Sequence, residues 1–162
     1  MIEIHTPIGD EVIKKLQVGD MVFLSGNIYC GRDAVLPRIV KGECNVALQG
    51  SVIFHTAVSP AGVGPTSSNK LEIESSIGPL SRMGIKLHLG KGQLKKETID
   101  LLDEYNSVYA IVPPVTALLG AKTLEHRLLA FPELGMEALY SLRVDKYPII
   151  IAAAHGRSIY DK

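Results

Sequence analysis

Charged and hydroxyl side chains stand beside glycine at three separate places in the chain, and this pattern is typical of loops that bind a small anion. Arg32 follows Gly31, a turn rich in hydroxyl groups spans 64–70, and Lys91 lies between two glycines. Glycine lets the backbone approach a bound group, arginine can hold a carboxylate through two parallel hydrogen bonds, and lysine adds a compact positive charge. Several cations of this kind suit a small dicarboxylate, because each carboxylate needs a positive partner.

The turn at 64–70 reads Gly-Pro-Thr-Ser-Ser-Asn-Lys and offers the densest group of polar side chains. We expect its Thr66, Ser67 and Lys70 to face the anion. The same residue types are equally typical of an ordinary connecting loop, since glycine, proline and serine punctuate loops in general. The Arg-Asp pair at 32–33 is likewise typical of an ion pair at a helix start. Both interpretations stay open at the level of these residues alone.

An apolar run precedes each of the three polar segments. Residues 21–26 and 51–58 are nearly continuous apolar runs, which predicts buried strands, and residues 85–89 alternate in character, which predicts a half-exposed strand. In open α/β sheets, ligands bind outside the carboxyl ends of the strands. We therefore expect the three polar segments to converge at one edge of a sheet, around a single anion.

The other predicted elements alternate between strands and helices. Residues 93–105 carry one apolar face and predict the clearest helix, whereas 69–76 fit a short strand and a mobile loop equally well. Further predictions are an edge strand at 2–5, short helices at 11–16, 34–40, 115–121 and 136–142, and strands at 107–112, 124–131 and 147–154. This order predicts an α/β domain with a mixed sheet and packed helices, and it leaves room for a second small sheet from the N-terminal segment.

Length and composition restrict the kind of protein. A chain of 162 residues fits one domain, 1–162, and its 17 basic and 17 acidic side chains give no net charge. The lack of a basic excess, with 6% aromatic residues and no tryptophan, argues against nucleic-acid binding. The sequence has no apolar run near the roughly 20 residues that span a bilayer, and its N-terminus does not resemble a leader. We expect a soluble, cytoplasmic protein that does not bind membranes.

Cysteine and histidine do not form a metal-binding pattern. The two cysteines, Cys30 and Cys44, are far apart and lack Cys-x-x-Cys spacing, and the five histidines are scattered. We expect each histidine to be structural and Cys30 to be a small buried side chain. The chain is therefore expected to hold no metal of its own.

Four short motifs, taken in order, resemble one family. They are SG at 25–26 with IYCGRDA at 28–34, GPTSS at 64–68, GKG at 90–92, and FPELGMEA at 131–138. Each motif is weak alone, but four in register with compatible spacing are specific. Over about residues 20–155 the chain resembles the β-subunit, or C-terminal domain, of class I fumarate hydratases and of the related L(+)-tartrate dehydratases.

The resemblance implies a fold, a partner and a cofactor. The family fold is a swivelling β/β/α domain, so residues 1–162 are expected to form a single domain of this type. The family's α-subunit or N-terminal half holds a four-iron four-sulfur cluster through three cysteines, and one iron acts as a Lewis acid on the substrate hydroxyl. This chain is then expected to be active only in a hetero-oligomer with an α-subunit, while homodimerisation of the isolated chain stays open.

The resemblance also implies roles for individual residues. The family arginine at the position of Arg32 binds a substrate carboxylate, the threonine at Thr66 moves the proton on the carbon beside a carboxylate, and the lysine at Lys91 contacts substrate nearby. Threonine is a weak base in water, so Thr66 would need a neighbouring cation such as Lys91, and exclusion of water, to stabilise its alkoxide. Ser67 and Lys70 are expected to bind substrate.

Two positions depart from the family pattern. Lys70 stands where the family has an arginine four residues after the threonine, and it lacks the planar fork that matches a carboxylate. Leu36 stands where the family tends to have a histidine after the Arg-Asp pair. Fumarate and L-malate are the expected substrates. Tartrate or another hydroxy-dicarboxylate is the first alternative, and a non-catalytic, anion-binding swivelling module is the second.

Overall fold

The structure of the chain is a computed structural model. It describes residues 2–32, 34–55, 58–59, 62–63, 70–112 and 123–161, with side chains in these segments except at 58–73, 123–126 and 136–137. The strands are β1 (Ile2–His5), β2 (Met21–Cys30), β3 (Val52–Phe54), β4 (Val58–Ser59), β5 (Gly62–Val63), β6 (Leu87–Gly90), β7 (Val108–Ile111), β8 (Thr123–Ala130), β9 (Leu139–Ala154) and β10 (Arg157–Ser158). The helices are α1 (Asp10–Lys15), α2 (Leu36–Val40), α3 (Lys70–Arg82) and α4 (Lys96–Glu104), and a 3₁₀ helix spans Pro132–Glu137.

Five strands pair in a closed ring. β2 pairs in parallel with β3, β3 with β6 and β6 with β7, and β9 then pairs antiparallel with both β7 and β2. β9 can close the ring because it is 16 residues long, which lets it pair with β2 along most of its length and with β7 at its last residues. β8 pairs with the first half of β9, outside the ring. β1 extends the sheet beside β2, and β10 beside β9. The fold is a mixed α/β structure built on an eight-stranded sheet.

Alternation along the parallel strands divides their side chains between two sides of the sheet. Phe54 and Leu89 lie in the main core, which the ring encloses, whereas Ile53 and Tyr109 lie on the outer face beneath the helices. His88 also lies on this outer face, against α3. All four residues of β6 are buried, so the prediction of a half-exposed strand at 85–89 is wrong, because a helix covers the face that the alternating pattern assigns to solvent.

Helices α2, α3 and α4 cover the outer face. The apolar stripe of α4 places Ile99 and Leu102 in a cluster with Ile77 of α3 and Tyr109 of β7. Each fully buried side chain of this size contributes about 1.5–3 kcal/mol, so a few such contacts hold a short helix on the sheet. The predicted helix at 93–105 is confirmed, although its regular part begins at Lys96.

The sequence fits 69–76 to a short strand and to a loop equally well, but residues 70–76 belong to α3, while residue 69 lies outside the described residues. The helix buries Ile77 and Leu80 on the face that meets the sheet, and this burial outweighs the unfavourable Gly78 and Pro79 within it. Gly78 has its own packing role, since a Cβ there would lie 2.9 Å from the end of a leucine side chain on α4. Tertiary contacts therefore determine the helical conformation of this segment, against the preference of its local sequence.

The predicted helix at 136–142 is also wrong. The 3₁₀ helix contains Gly135 at φ 61° and ψ −125°, a conformation that ends regular helix, and β9 begins at Leu139.

The strand predicted at 21–26 continues to Cys30 through an irregularity at Gly26, whose φ is +111°. Glycine is needed there because an added Cβ would overlap the hydroxyl of Thr6.

The N-terminal segment joins the main sheet through β1, and the described small sheet is instead the pair β4–β5. The strand predicted at 124–131 is confirmed as β8, while the short helix predicted at 115–121 lies outside the described residues. In the described segments, no helix has the length and apolar character needed to cross a membrane.

Candidate active site

The carboxyl ends of four parallel strands lie in register at one edge of the sheet. Cys30 of β2 is opposite Phe54 of β3, Phe54 is opposite Leu89 of β6, and Leu89 is opposite Ala110 of β7. The pairing continues one residue further, where the Gly31 amide donates to the Phe54 carbonyl at 3.1 Å. The strands therefore deliver the polar segments that follow them to the same edge, where α/β sheets usually bind ligands.

Arg32 lies two residues beyond the end of β2, at the entrance to α2. Its carbonyl accepts hydrogen bonds from the amides of Val35 (3.1 Å) and Leu36 (3.0 Å), which starts the turn into the helix. Gly31 is required before it, because a Cβ would lie 2.6 Å from Val35 Cγ1. The Arg32 side chain is half-buried. Leu36, which stands where the resembled family tends to have a histidine, is the first residue of α2 and packs fully buried against the apolar cluster on the outer face of the sheet.

Lys91 follows β6 in a tight turn set by two glycines. A Cβ at Gly90 would lie 3.0 Å from the phenol oxygen of Tyr109, and Gly92 has φ +78°, in the region that favours glycine. The Lys91 side chain is exposed. The glycines thus fix the path of the turn and place the lysine at the surface of the edge.

The ends of β2 and β6 are separated by one intervening strand, β3. Neighbouring strands lie about 4.8 Å apart, so the backbones that carry Arg32 and Lys91 leave the sheet about 10 Å apart. Arginine and lysine side chains are long enough to reach a small molecule placed between them. This arrangement can put positive charge at both ends of a dicarboxylate.

Lys70 is the first residue of α3, and its side chain lies outside the described part of the chain. The helix runs back along the sheet, since Gly84, just past its C-terminal end, accepts from the Gly50 amide before β3 (2.9 Å). The first turns of α3 contact the start of α4 through Glu74. The N-terminus of α3 therefore points to the edge that carries Lys91.

The predicted hydroxyl contacts Thr66 and Ser67 lie outside the described residues, as does Asp33. The described part of the connection from β3 to α3 is the β4–β5 pair, in which Val58 is opposite Val63. The structure therefore positions Arg32 and Lys91 of the predicted site, and it gives the helix start at Lys70.

Glu74 ties α3 to the start of α4, which follows the turn that carries Lys91. Its Oε1 accepts hydrogen bonds from the Lys95 amide (2.9 Å) and from the Thr98 hydroxyl (2.7 Å). Lys95 is the N-cap residue of α4 and makes no side-chain cap of its own, so a carboxylate from another helix caps α4. Glu74 and Thr98 are both buried. Nothing in the sequence spacing indicates this contact, because it joins two helices.

His55 and His88 form a buried pair beneath α3. His55 Nε2 and His88 Nδ1 are 3.1 Å apart, the ring centroids are 5.3 Å apart, and Ser81 Oγ lies 2.8 Å from His88 Nε2. Burial lowers the pKa of His55 to about 3. Burial, and then the neighbouring His55, lower the pKa of His88 well below its usual value. Both imidazoles are therefore neutral near neutral pH.

In the sequence, His55 and His88 are scattered and predict two unrelated structural histidines. They come together only because β3 and β6 pair with Ile53 opposite His88. His55 is two residues after Ile53, and side chains two residues apart lie on the same face of a sheet. A usable signal does exist: each histidine lies at or near the carboxyl end of an apolar strand that precedes a polar segment. Strand pairing, which the sequence does not reveal directly, is needed to use it.

The residues of this chain do not fit a four-iron four-sulfur cluster. The sequence has two cysteines, fewer than the three thiolates of the resembled site. Cys30 is buried in the main core, whereas Cys44 packs against the separate cluster beneath α2 and α3. Across the segments that the structure describes, no group of three or more His, Cys, Asp or Glu side chains could hold a metal ion.

Comparison with known proteins gives consistent matches. The profile of the family described as Fumarase C-terminus matches residues 1–162. A putative L(+)-tartrate dehydratase subunit beta from Methanocaldococcus jannaschii is 32% identical, covering 93% of this chain and 86% of that protein. The L(+)-tartrate dehydratase subunit beta of Escherichia coli K12 is 29% identical, covering 95% and 84% respectively. A putative fumarate hydratase class I from Geobacillus stearothermophilus is 29% identical over 99% of this chain but only 34% of its own length.

The family match extends over the whole chain and includes the four motifs that carry the resemblance in the sequence. The similar proteins bear the names of tartrate dehydratase subunits and of a fumarate hydratase, which agrees with that resemblance. This chain therefore belongs to the Fumarase C-terminus family.

Proposed function

We propose that this chain is the β-subunit of a hydro-lyase that interconverts fumarate and L-malate together with a separate iron–sulfur α-subunit. The observation that carries the proposal is the strand register, which brings the segments of Arg32 and Lys91 to one edge with a single strand between them. That spacing suits the two carboxylates of a small dicarboxylate. The family match over residues 1–162 adds the reaction class.

The proposed chemistry divides between binding and proton transfer. Dehydration removes the hydroxyl group from one carbon of malate and a proton from the next, and hydration returns both to fumarate. Arg32, Lys70 and Ser67 bind the carboxylates, and Thr66 takes or returns the carbon-bound proton. Lys91, which leaves the same edge, supplies the positive charge that stabilises the alkoxide form of Thr66.

The iron–sulfur cluster that the resemblance implies is assigned to the α-subunit. This assignment is supported by the two cysteines of the chain, which lie in different cores and are too few for such a site. The chain then contributes part of an active site that is completed by its partner. The ring of strands, with helices on one outer face, also supports the swivelling β/β/α architecture for residues 1–162.

Anaerobic co-expression with a cluster-bearing α-subunit tests this function, with fumarate absorbance followed after L-malate is added. Thr66→Ala is expected to lower kcat by at least about a hundredfold, the usual effect of removing a proton-transfer group. Lys96→Met is the matched control for Lys91→Met, because Lys96 is exposed and pairs with Asp100 at 3.0 Å. The control should leave turnover unchanged, while Lys91→Met lowers it.

The possible results separate the claims. A wild-type complex that contains its cluster but does not hydrate fumarate would refute the hydro-lyase assignment. Normal turnover by Thr66→Ala would refute the role of that residue alone. Tight binding of a small dicarboxylate by the lone chain in calorimetry, with no turnover by the complex, would favour the non-catalytic module instead.

Tartrate is the second candidate substrate, favoured by the names of two similar proteins, which are tartrate dehydratase β-subunits. Lys70 is the residue most relevant to this choice, because a lysine does not reproduce the two-pronged carboxylate contact of an arginine. The same complex can be assayed with L-malate, L-tartrate and a methylmalate. A higher kcat/KM for tartrate than for malate would reverse our order of substrates.

A further inference from the structure

Three buried polar side chains form a line that runs from the inner face of α3 to the edge of the candidate site. Ser81 Oγ contacts His88 Nε2 at 2.8 Å, and His88 Nδ1 contacts His55 Nε2 at 3.1 Å. The exposed fractions are 3% for Ser81, 0% for His88 and 2% for His55. Burying polar groups of this kind costs free energy unless they are hydrogen-bonded, a cost that apolar side chains in the same space would not carry.

The protons of this line can take only two arrangements. Both imidazoles are neutral, and a neutral imidazole has one donor nitrogen and one acceptor nitrogen. If Ser81 donates to His88, then His88 Nδ1 donates to His55 Nε2, and His55 Nδ1 carries a hydrogen. In the reverse arrangement, His55 Nδ1 carries a lone pair. The state of His55 Nδ1 is therefore coupled to Ser81 through His88.

The outer end of the line is His55 Nδ1. This atom is buried and has no hydrogen-bond partner among the residues that the structure describes. His55 directly follows β3, and its amide donates to the Leu89 carbonyl at 3.0 Å, two residues before Lys91. This nitrogen thus belongs to the residue that directly follows β3, the strand between the segments of Arg32 and Lys91.

We propose that His55 is a positioning residue of the hydro-lyase site, and that Ser81 and His88 hold its Nδ1 as a hydrogen-bond donor for the anionic site at this edge. The inference rests on the proposed function. A bound dianion favours the donor arrangement, because all the hydrogen bonds of the line then point toward negative charge and polarise one another. The assembled enzyme is expected to supply the acceptor that the Nδ1 atom lacks within the described segments.

Two substitutions separate the two nitrogens of the His55 ring. In His55→Gln the amide lies near the former Nε2 and can still contact His88, but no polar atom replaces Nδ1. In His55→Asn the amide lies near the former Nδ1 and loses the His88 contact. We expect His55→Gln to keep the fold and to lower kcat/KM of the complex about 10- to 100-fold, the effect of losing a hydrogen bond to a charged group. Wild-type kcat/KM in His55→Gln would overturn the proposal.

The far end of the line provides a second test. Ser81→Ala removes the hydroxyl and is expected to lower kcat/KM, whereas Ser81→Thr keeps a hydroxyl and should restore most of the loss. His5→Gln is the control for a histidine change, because His5 is exposed and its Nδ1 contacts only the neighbouring Thr6 carbonyl among the described groups. Equal activity of Ser81→Ala and wild type would overturn the coupling through His88.

Nitrogen NMR of the histidine rings of this chain, in the complex with a bound dicarboxylate, tests the line without measuring turnover. The donor arrangement predicts that His55 and His88 are both protonated at Nδ1 and unprotonated at Nε2. Protonation of both rings at Nε2 would overturn the proposal, whatever the activity of the variants. An inactive wild-type complex would instead refute the function on which the inference rests, so the two failures are distinguishable.

Discussion

Replacing Glu74 by alanine is expected to free the start of α4 and to destabilise the whole chain. The Glu74 carboxylate accepts hydrogen bonds from the Lys95 amide at 2.9 Å and the Thr98 hydroxyl at 2.7 Å. Both bonds form at the N-terminus of α4, just after the turn that carries Lys91. The substitution is therefore expected to act on the stability of the fold and on the order of the α4 start.

The magnitude follows from the groups left without partners. Losing a helix N-cap costs about 0.5–2 kcal/mol. Thr98 is 6% exposed, and a buried hydroxyl that loses its acceptor costs about 1–3 kcal/mol. Part of this loss of stability is offset, because the alanine variant no longer has to desolvate a buried carboxylate when it folds. We expect Glu74→Ala to lower the free energy of unfolding by about 2–3 kcal/mol, a large share of the roughly 5–15 kcal/mol typical of a domain.

Urea unfolding of the lone chain, followed by far-UV circular dichroism, measures this change. Glu74→Gln is the matched control, because its amide oxygen can still accept both hydrogen bonds, and we expect it to lose less than about 1 kcal/mol. Hydrogen exchange at the Lys95 amide should accelerate in the alanine variant and not in the glutamine variant. A change below about 0.5 kcal/mol in Glu74→Ala, within the usual range of surface substitutions, would refute the capping role.

Three further predictions follow from other contacts. Lys86 Nζ lies 2.6 Å from Asp10 Oδ1, and its hydrogen bond, then its charge, lower the pKa of Asp10 below the usual 3.8. This pair therefore stabilises the fold above about pH 4 and ceases to do so as pH falls through the lowered pKa, so unfolding midpoints of wild type and Asp10→Asn should differ near neutral pH and converge in acid. Gly26→Ala should lower the melting temperature, whereas Gly9→Ala, which has open space around the added Cβ, should not. Cys44 is half-buried, and burial raises the pKa of its thiol, so it should react slowly with a thiol reagent in the folded chain, while the buried second cysteine should react only after unfolding.

The sequence predicts the strands that position the site because their signal is local. The apolar run at 21–26 and the alternating run at 85–89 each end in glycine and a polar segment, and both become strands of the parallel part of the sheet. The shared edge of Arg32 and Lys91 follows from a general rule for α/β sheets, and the observed register agrees with it. The roles of Thr66 and Ser67 stay predictions, since they lie outside the described residues.

The features that the sequence does not predict depend on contacts between distant segments. Helix α3 contains Gly78 and Pro79, and only its burial against the sheet makes this segment helical. The Glu74 cap and the His55–His88 pair likewise join separate elements. Local patterns specify elements and their ends, whereas these contacts require the pairing and packing of the whole chain.

The length of β9 has a consequence for the way this protein is made. β9 closes the ring by pairing with β2, and Met21 lies opposite Ile150. A contact between residues so distant in the sequence carries a large loop-closure entropy, which slows folding. On the ribosome, the ring cannot close until β9 has been synthesised, because β9 is the strand that pairs with both β2 and β7. The nascent chain therefore exposes open sheet edges until β9 is available, and this is the period in which aggregation competes with folding.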